Sequence, residues 1–394
     1  MRTDKIKTEL AALFLLLLAV GFLANGPRDL LLRTGSLLKG TLLGRETAGV
    51  SAIEETMAET LWGRRALLDL NGWMMKALDM RGYYGDIGIY IEDGMYIVSA
   101  YEATTTDYEF EQMTDFRDFL AENGVKLLYV CKPGKYLDDA ELRDAFGVES
   151  FSNRNADRLV ERLRAAEVPV VDLRESIRDE GLDVRTLFYR TDHHWTTRAG
   201  LWATRLIAEG LNESCGYAID TSVWNEENFL LRDWEQCWLG EQGRKVGAAY
   251  VGLDDYTEIK PAFSTDYLFR FRGETYDGDF GVFIDENTYD TTRDVYDSPS
   301  WHYSYNRTDC VNRDVAEGKV LLLGDSYDFV TVPFLSLGVH ALDSLILRYY
   351  GDDLDLRQHI LDEGYDTVIV CYAPLMIGAH DDPDSFNYRM FTFT

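Results

Sequence analysis

The sequence predicts an α/β protein in which helices cover both faces of a parallel sheet. Between Asp115 and Cys371, segments with helical periodicity alternate with short apolar runs typical of buried strands. Two of these runs, Val125–Cys131 and Asp366–Cys371, are almost wholly apolar, as expected for strands buried on both faces of a sheet. The alternation stops from about residue 212 to 314, where the chain is rich in aromatic residues, turns and strand-like patterns. This segment is interpreted as a β-rich insertion.

The individual elements follow in chain order. A hairpin is predicted over Ile87–Ser99, because two alternating runs flank the turn Glu92-Asp93-Gly94. Helices are predicted over Asp115–Glu122, Asn153–Ala166, Thr197–Leu211, the segment from Ser326 through Leu335, and Leu354–Asp362. Strands are predicted over Val125–Cys131, Val168–Leu173, Val320–Leu323, Val339–Leu342 and Asp366–Cys371.

The beginning of the chain is expected to hold a membrane anchor and a stalk. A polar, partly basic stretch ends at Glu9, and an unbroken apolar run follows over Leu10–Ala24. This pattern fits an uncleaved signal anchor, taken as residues 1–26, while a cleaved secretory segment or an apolar helix of a soluble protein would also account for it. The helical pattern of residues 27–85 is interpreted as a stalk. Residues 86–394 would then form the main domain, held outside the cytoplasm.

The net charge excludes one class of partner. The chain contains 39 Lys and Arg against 68 Asp and Glu, a formal net charge of −29 at pH 7. Such a surface repels phosphate backbones, so nucleic acid is not an expected partner. A strongly acidic surface also keeps a protein soluble, which is a simpler interpretation of the same charge than a specific cationic partner.

The cysteines do not form a metal or redox motif. None of the five shares a C-x-x-C spacing, which argues against a zinc ribbon or a thioredoxin-like site. Cys131 and Cys371 end apolar strand-like runs, so buried thiols are expected there. A Cys215–Cys237 disulfide is the alternative. No cofactor is expected.

The segment Tyr189–Trp195 supplies an acid and a base. Asp192 and His194 are two residues apart, so on an extended segment both side chains point to the same side, and His193 points the opposite way. A carboxylate in this position can hold an imidazole in one tautomer and orientation. The pair would lie on the loop leading into the predicted helix Thr197–Leu211.

A nucleophile follows far downstream. The apolar run Lys319–Leu323 ends in Gly324-Asp325-Ser326, the pattern expected where a buried strand turns sharply and exposes a serine. A serine hydroxyl becomes a strong nucleophile when an imidazole takes its proton. Ligands of such sheets bind beyond the carboxyl ends of the strands, where Ser326 would lie. Ser326, His194 and Asp192 are therefore the candidate catalytic residues.

Other interpretations of these motifs are available. Gly-Asp-Ser could be a plain strand-to-helix cap, and His194 could be a buried structural histidine. Asp-His-His also occurs at two-metal phosphoesterase sites that bind manganese. Such sites need further ligands, and the other histidines form no obvious ligand cluster in the sequence. No metal is expected.

With these motifs, the chain resembles the DHHW family, relatives of the SGNH-hydrolase-like alginate O-acetylation proteins. The resemblance rests on Thr191–Thr196 and Gly324–Tyr327 and extends more loosely over residues 51 to 380. As in the permuted order of the alginate-acetylation group, the Asp-x-His motif precedes the serine. The resemblance implies an SGNH-hydrolase-like fold in which Ser326 is the nucleophile, His194 the base and Asp192 its orienting partner.

The resemblance also implies a function. It indicates an O-acetyltransferase or acetylesterase that acts on an exported or cell-surface polysaccharide through an acyl-enzyme. Family members commonly work beside a membrane-bound O-acyltransferase, so such a partner is expected together with the polysaccharide acceptor. The alternative is a non-catalytic glycan-binding or scaffold subunit of a polysaccharide modification or export complex. Aromatic residues of the insertion could stack on sugars in such a subunit, or pack a small core.

Overall fold

The computed structural model of this chain describes residues 64–82, 88–92, 95–98, 102–271, 274–284, 294–297, 307–350, 354–378 and 388–394. The anchor predicted at residues 1–26 lies outside these ranges, as does most of the predicted stalk. Within them, no helix combines the length and the apolar character needed to cross a membrane. The chain divides into two units, Met1–Leu78 and Asp79–Thr394. In the first unit, the structure describes one helix, α1, over Arg64–Ala77.

The second unit alternates helices and strands, numbered here in chain order. Its helices are α2 (Asp107–Glu122), α3 (Asp139–Phe146), α4 (Ser152–Ala165), α5 (Leu173–Glu180), α6 (Thr197–Cys215), α7 (Glu241–Val246), α8 (Ala248–Val251), α9 (Asp328–Leu335) and α10 (Leu356–Glu363). Its strands are β1 (Ile89–Glu92), β2 (Met95–Val98), β3 (Lys126–Cys131), β4 (Val170–Asp172), β5 (Phe229–Trp238), β6 (Asp254–Pro261), β7 (Tyr267–Phe271), β8 (Glu274–Gly278), β9 (Arg307–Asn312), β10 (Lys319–Leu323), β11 (Ala341–Leu345) and β12 (Thr367–Tyr372).

An eight-stranded sheet forms the centre of this unit, with strand order β4-β3-β12-β10-β11-β9-β7-β8. The strands from β4 to β11 pair in parallel, and their buried positions form the main core. From β11 onward, β9, β7 and β8 pair antiparallel. The predicted α/β class with flanking helices is confirmed, but the wholly parallel sheet is corrected to a mostly parallel one. The antiparallel strands come from the segment interpreted as an insertion.

The strand-rich segment between residues 212 and 314 has two parts. β7, β8 and β9 extend the main sheet, whereas β5 and β6 pair with each other in a separate two-stranded ribbon. Several of its aromatic side chains are buried, and Trp238 and Tyr256 pack with Tyr189 in a small cluster. All five cysteines are free, so the alternative Cys215–Cys237 disulfide is wrong.

Most predicted elements are present, with shifted ends. The hairpin of β1 and β2 forms as predicted. Helix α6 continues to Cys215 rather than Leu211, and it stops where Gly216 adopts a left-handed conformation with φ of 79°. Strand β11 continues beyond the predicted Leu342, because the polar residues that follow are buried within the sheet. Polar character therefore did not mark the end of that strand.

Two helices bring distant parts of the chain together. Helix α6 begins just after His194, and α9 begins just after Ser326. They approach so closely at Gly200 that a Cβ atom there would lie 2.8 Å from Val330 Cγ2 and 3.0 Å from the Val330 carbonyl oxygen. The absence of a side chain at Gly200 therefore allows the contact that places the two loops side by side.

Candidate active site

The loop with Asp192 and His194 is a tight turn. Phe188 and Trp195 form an isolated antiparallel bridge across its base, and the Tyr189 amide donates to the His194 carbonyl at 3.2 Å. Inside the loop, the His194 amide donates to Asp192 Oδ1 at 3.1 Å, which closes an Asx-type turn. The expected extended segment is thus corrected. The Asp192–His194 contact forms because the chain turns.

A buried carboxylate from β6 fixes the start of this loop. Asp254 accepts hydrogen bonds from the amides of Arg190 and Thr191, at 2.7 and 2.8 Å, and also from the Thr191 hydroxyl. Asp254 is only 5% exposed. The β5–β6 ribbon thereby holds the start of this loop in place.

The start of α7 holds Asp192 itself. The Glu241 amide donates to Asp192 Oδ2 at 2.6 Å, and the Gly240 amide donates to Thr191 Oγ1 at 2.7 Å. A Cβ atom at Gly240 would collide with the Thr191 carbonyl oxygen and with the Asp192 side chain. Only a residue without a side chain fits between these two elements.

The structure brings the three sequence-predicted residues together. Ser326 follows β10 in a sharp turn, and its Oγ lies 2.6 Å from His194 Nε2. The other ring nitrogen, His194 Nδ1, lies 2.5 Å from Asp192 Oδ1. The loop and the turn are also joined by Trp195 Nε1, which donates to the Tyr327 carbonyl at 2.7 Å. The imidazole therefore bridges the carboxylate and the serine hydroxyl.

The surroundings of Asp192 and His194 determine the charge of each side chain at neutral pH. Burial, helped by the neighbouring His193, lowers the pKa of His194 to about 4, against the opposing effect of Asp192. Burial by itself would raise the pKa of Asp192, but the charge and hydrogen bond of His194 hold it well below its usual range. At pH 7, the site thus contains a carboxylate and a neutral imidazole, which is the form that can accept a proton.

His193 does not point away, as an extended segment would require. Its Nδ1 lies 3.3 Å from Asp192 Oδ1 and 2.7 Å from Gln242 Nε2, and its ring centroid lies 3.6 Å from that of His194. Its carbonyl accepts a hydrogen bond from the Tyr327 hydroxyl at 2.7 Å. This prediction was wrong because the turn places both histidine rings on the same side.

Three charged residues that the sequence analysis did not assign to the site lie beneath Ser326. Lys132 Nζ donates to Asp325 Oδ1 at 2.8 Å and to Asp328 Oδ2 at 2.5 Å, and all three side chains are almost fully buried. Burial raises the pKa of Asp328 to about 6, while Lys132 opposes that shift. Burial also acts to lower the pKa of Lys132, but the two carboxylates raise it overall.

A usable signal existed for one of these residues. Lys132 comes directly after the buried run Val125–Cys131, and so lies at the carboxyl end of a central strand, where sites form. No local pattern marks Asp254, because its role depends on a loop far away in sequence.

A pocket opens beside His193 and Tyr327. It is lined by Gly134, Lys135, Tyr136, Ser152, His193, Tyr327, Pro374 and Leu375. Lys135 is buried there, which lowers its pKa to about 7. A larger cavity of about 310 Å³ is lined by Leu347, Tyr350, Leu354, Asp355, Leu356, Arg389, Thr392 and Thr394, none of which belongs to the site around Ser326.

The loop that contains Asp192 and His194 also has a group of side chains with the spacing of a metal site. Among the described residues, Asp192, His193 and His194 place one ligand atom each within 4.8 Å of the others. Both ring nitrogens of His194 already contact Asp192 and Ser326. A metal ion bound here would therefore compete with the hydrogen bonds that link the three residues. That no metal takes part stays a prediction.

The fold is of the α/β class, and it places a serine after a central strand within hydrogen-bonding distance of a histidine. Residues 89–228 match the family model described as SGNH hydrolase-like domain, acetyltransferase AlgX. This match confirms the resemblance inferred from the sequence. It includes Asp192 and His194 and ends before Ser326. Comparison with curated protein sequences gives no match.

Solved structures share the fold. Bacillus cereus PatB1 superposes with a TM-score of 0.62 at 17% sequence identity, covering 78% of this chain and 99% of that chain. The same protein with a sulfonyl adduct gives a TM-score of 0.61 at 16% identity, covering 78% and 98%. A DHHW family protein from Eubacterium siraeum gives 0.53 at 14% identity, covering 74% and 91%. At these identities, the similarity is one of fold.

Proposed function

We propose that this protein is a serine-dependent O-acetyltransferase or acetylesterase that acts on an exported or cell-surface polysaccharide. The observation that carries the proposal is the His194 imidazole, which lies 2.6 Å from Ser326 Oγ on one side and 2.5 Å from Asp192 Oδ1 on the other. The match to an acetyltransferase family model supports the choice of acyl chemistry. These distances support the role proposed for each of the three residues.

In the first half-reaction, Ser326 Oγ attacks the carbonyl carbon of an acetyl ester while its proton passes to His194 Nε2. Asp192 holds the proton on Nδ1, so that Nε2 is the accepting atom, and stabilises the imidazolium that forms. The tetrahedral intermediate then collapses, and His194 returns the proton to the leaving alkoxide. The product is an acetyl-Ser326 ester and the free alcohol of the donor.

In the second half-reaction, the acceptor attacks the acyl-enzyme. A sugar hydroxyl gives its proton to His194 Nε2 and takes the acetyl group, and Ser326 Oγ recovers the proton as it leaves. If water takes the place of the sugar, the result is hydrolysis. The balance between these outcomes depends on how well the site excludes water and binds the acceptor. The pocket lined by Tyr136, His193, Tyr327 and Leu375 is our proposed position for substrate.

The oxyanion of each intermediate needs a hydrogen-bond donor near Ser326. The amides on either side of it are engaged, since Asp325 N donates to Asp328 Oδ2 at 3.0 Å and Tyr327 N donates to Asp325 Oδ1 at 2.9 Å. Within the part of the chain that the structure describes, the Ser326 amide donates to no protein acceptor. We assign it as an oxyanion donor.

The proposal includes a location and partners. Transfer to an exported glycan requires the domain to lie outside the cytoplasm, and the apolar run Leu10–Ala24 would anchor it as a single membrane span. A membrane-bound O-acyltransferase would supply acetyl groups across the membrane. The acceptor would be the polysaccharide.

Acetylesterase activity of the full-length protein on a chromogenic acetyl ester tests the proposal. Wild type is compared with Ser326→Ala, His194→Ala and the control Ser222→Ala, whose exposed serine bonds to Asp220. Each is assayed with and without EDTA. We expect turnover that both site variants lose, that Ser222→Ala keeps and that EDTA does not change.

The other outcomes separate the alternatives. Loss of activity with EDTA would overturn the serine mechanism in favour of metal catalysis. If wild type is inactive both on the ester and with oligosaccharide acceptors, and Ser326→Ala leaves polymer acetylation in cells unchanged, the enzyme proposal fails and the scaffold alternative takes its place. Retained turnover in Ser326→Ala would remove Ser326 from the mechanism.

A further inference from the structure

The charge cluster beneath Ser326 controls the backbone of the turn that carries the serine. Asp325 Oδ1 accepts from the Tyr327 amide, and Asp328 Oδ2 accepts from the Asp325 amide. These two amides directly precede and follow that of Ser326. The two carboxylates thus fix the Gly324–Asp325 and Ser326–Tyr327 peptide planes, and neither of them accepts a hydrogen bond from the serine amide.

Lys132 links the two carboxylates. Its ammonium donates to Asp325 Oδ1 and Asp328 Oδ2, the same oxygen atoms that accept the two backbone amides. Without a cation between them, two carboxylates this close in a buried site repel each other, because both have lost their hydration. The position of each carboxylate, and of the amide it holds, therefore depends on Lys132.

The cluster also connects the turn to the neighbouring strands. Lys132 follows β3, and its amide donates to the Tyr372 carbonyl at the end of β12 at 2.9 Å. Asp325 Oδ2 accepts from the Ala373 amide at 2.8 Å, and the Cys371 thiol donates to Asp328 Oδ1 at 3.3 Å. The serine turn is thus tied to the carboxyl ends of β3 and β12 as well as to its own strand, β10.

We propose that Lys132 is a positioning residue for the acyl-transfer site. By bridging Asp325 and Asp328, Lys132 holds the Ser326 hydroxyl and amide in their reactive geometry. Lys132 itself touches neither His194 nor the reacting atoms in this mechanism. The inference rests on the proposed function, because it concerns how that nucleophile is aimed. It assigns a catalytic purpose to a buried ion cluster that would otherwise be counted as part of the core.

The test compares variants that separate charge balance from bridging. Lys132→Met leaves two facing carboxylates and is expected to lower the thermal unfolding midpoint. The double variant Lys132→Met/Asp328→Asn keeps the net charge of the cluster, while the side-chain oxygen of the introduced asparagine can still accept the Asp325 amide. We expect it to unfold near the wild-type temperature but to turn over the acetyl ester about 100-fold more slowly with KM unchanged, the cost of a nucleophile displaced by about 1 Å.

Arg174→Met is the matched control. Arg174 is another buried cation, paired with Asp172 at the end of β4, which is three positions from β10 in the sheet. Its loss should lower the unfolding midpoint while leaving kcat per folded molecule unchanged. The rate at which phenylmethylsulfonyl fluoride modifies Ser326, followed by mass spectrometry, gives a second readout that needs no acceptor. We expect this rate to fall in both Lys132 variants and to stay constant in Arg174→Met.

The outcomes distinguish this inference from the proposed function. Wild-type kcat and labelling rate in the double variant would overturn the positioning role and leave the serine mechanism standing. An equal loss of kcat in Arg174→Met would also overturn it, since the effect would then be general destabilisation. If wild type shows no turnover that depends on Ser326, the proposed function fails and the positioning role fails with it.

Discussion

Glu241 and Asp192 lie 49 positions apart, yet the Glu241 amide donates to Asp192 Oδ2 at 2.6 Å. Because Oδ1 of the same carboxylate faces His194, both oxygens of Asp192 are used, one to fix the carboxylate and one to orient the base. The two tasks need two acceptor atoms.

Asp192→Asn should therefore disable catalysis without unfolding the protein. An asparagine has one acceptor oxygen, so it can keep either the Glu241 amide or the proton on His194 Nδ1, and the imidazole loses its correct tautomer. We expect kcat to fall about 10³–10⁴-fold. Steady-state kinetics on an acetyl ester measure the loss, and circular dichroism checks the fold. A loss below tenfold would show that Asp192 does not orient the base.

His193→Gln should move the acid limb of the pH profile. His193 contributes to the lowered pKa of His194, after the larger effect of burial. Removing the His193 imidazole removes this contribution and raises the pKa of His194, so protonation inactivates the proposed base at a higher pH. We expect the acid limb of kcat/KM, with each enzyme normalised to its own rate at pH 8, to shift upward. A profile that superposes on wild type would contradict the effect of His193.

Gly200→Ala should destabilise the protein although alanine favours helices. The preference for alanine over glycine within a helix is worth about 1 kcal/mol. Against it, the new Cβ would lie 2.8 Å from Val330 Cγ2 and 3.0 Å from the Val330 carbonyl oxygen, and overpacking of this kind costs about 1–3 kcal/mol. Urea unfolding should show a net loss of stability. Gly82→Ala is the control, because among the described residues, apart from its own chain neighbours, no atom lies within 4 Å of the added Cβ.

Asp343→Asn should stabilise the protein above about pH 6 and progressively less at lower pH. Asp343 accepts from the Tyr365 hydroxyl at 2.6 Å, and burial raises its pKa to about 6 against that hydrogen bond. A carboxyl whose pKa is raised on folding stabilises the fold while protonated, and this contribution is lost as pH rises through 6. Asparagine mimics the protonated form at every pH. The variant should gain stability at pH 8, at most about 3 kcal/mol, and the gain should shrink as pH falls below 6.

Urea unfolding at pH 5 and pH 8 checks this prediction. A stability difference of the same size at both values would contradict the raised pKa, since a loss or gain of packing does not depend on protonation. The comparison therefore isolates the ionisation of Asp343 from other effects of the substitution.

Apolar patterns made the central strands and the serine turn predictable. β3, β10 and β12 are almost wholly buried, so their sequences show continuous apolar runs, and Ser326 could be placed at the end of one of them. The Asp192–His194 pair could be found because its members are close in sequence. The direction of the His193 side chain could not be predicted, because it depends on a turn whose shape is set by contacts from Asp254 and Glu241.

Buried charges were harder to predict, for a physical reason. A lysine or aspartate in a sequence is expected at the surface, and it is buried only where a partner compensates its charge. The partners of Lys132 lie 193 and 196 positions away. No local pattern could join them, since the parallel sheet itself brings the segment with Lys132 and the segment with Asp325 and Asp328 together.

The sheet order has a consequence for how the protein is made. β12 is the last of the described strands along the chain, yet it lies between β3 and β10, whose ends are followed by Lys132 and Ser326. During synthesis, these two strands emerge without the strand that separates them, and their mutual geometry is set only when residues 367–372 arrive. Such non-local pairing is slow to form. We expect a nascent or truncated chain that ends before Thr367 to contain Ser326, His194 and Asp192 and still to lack the proposed activity.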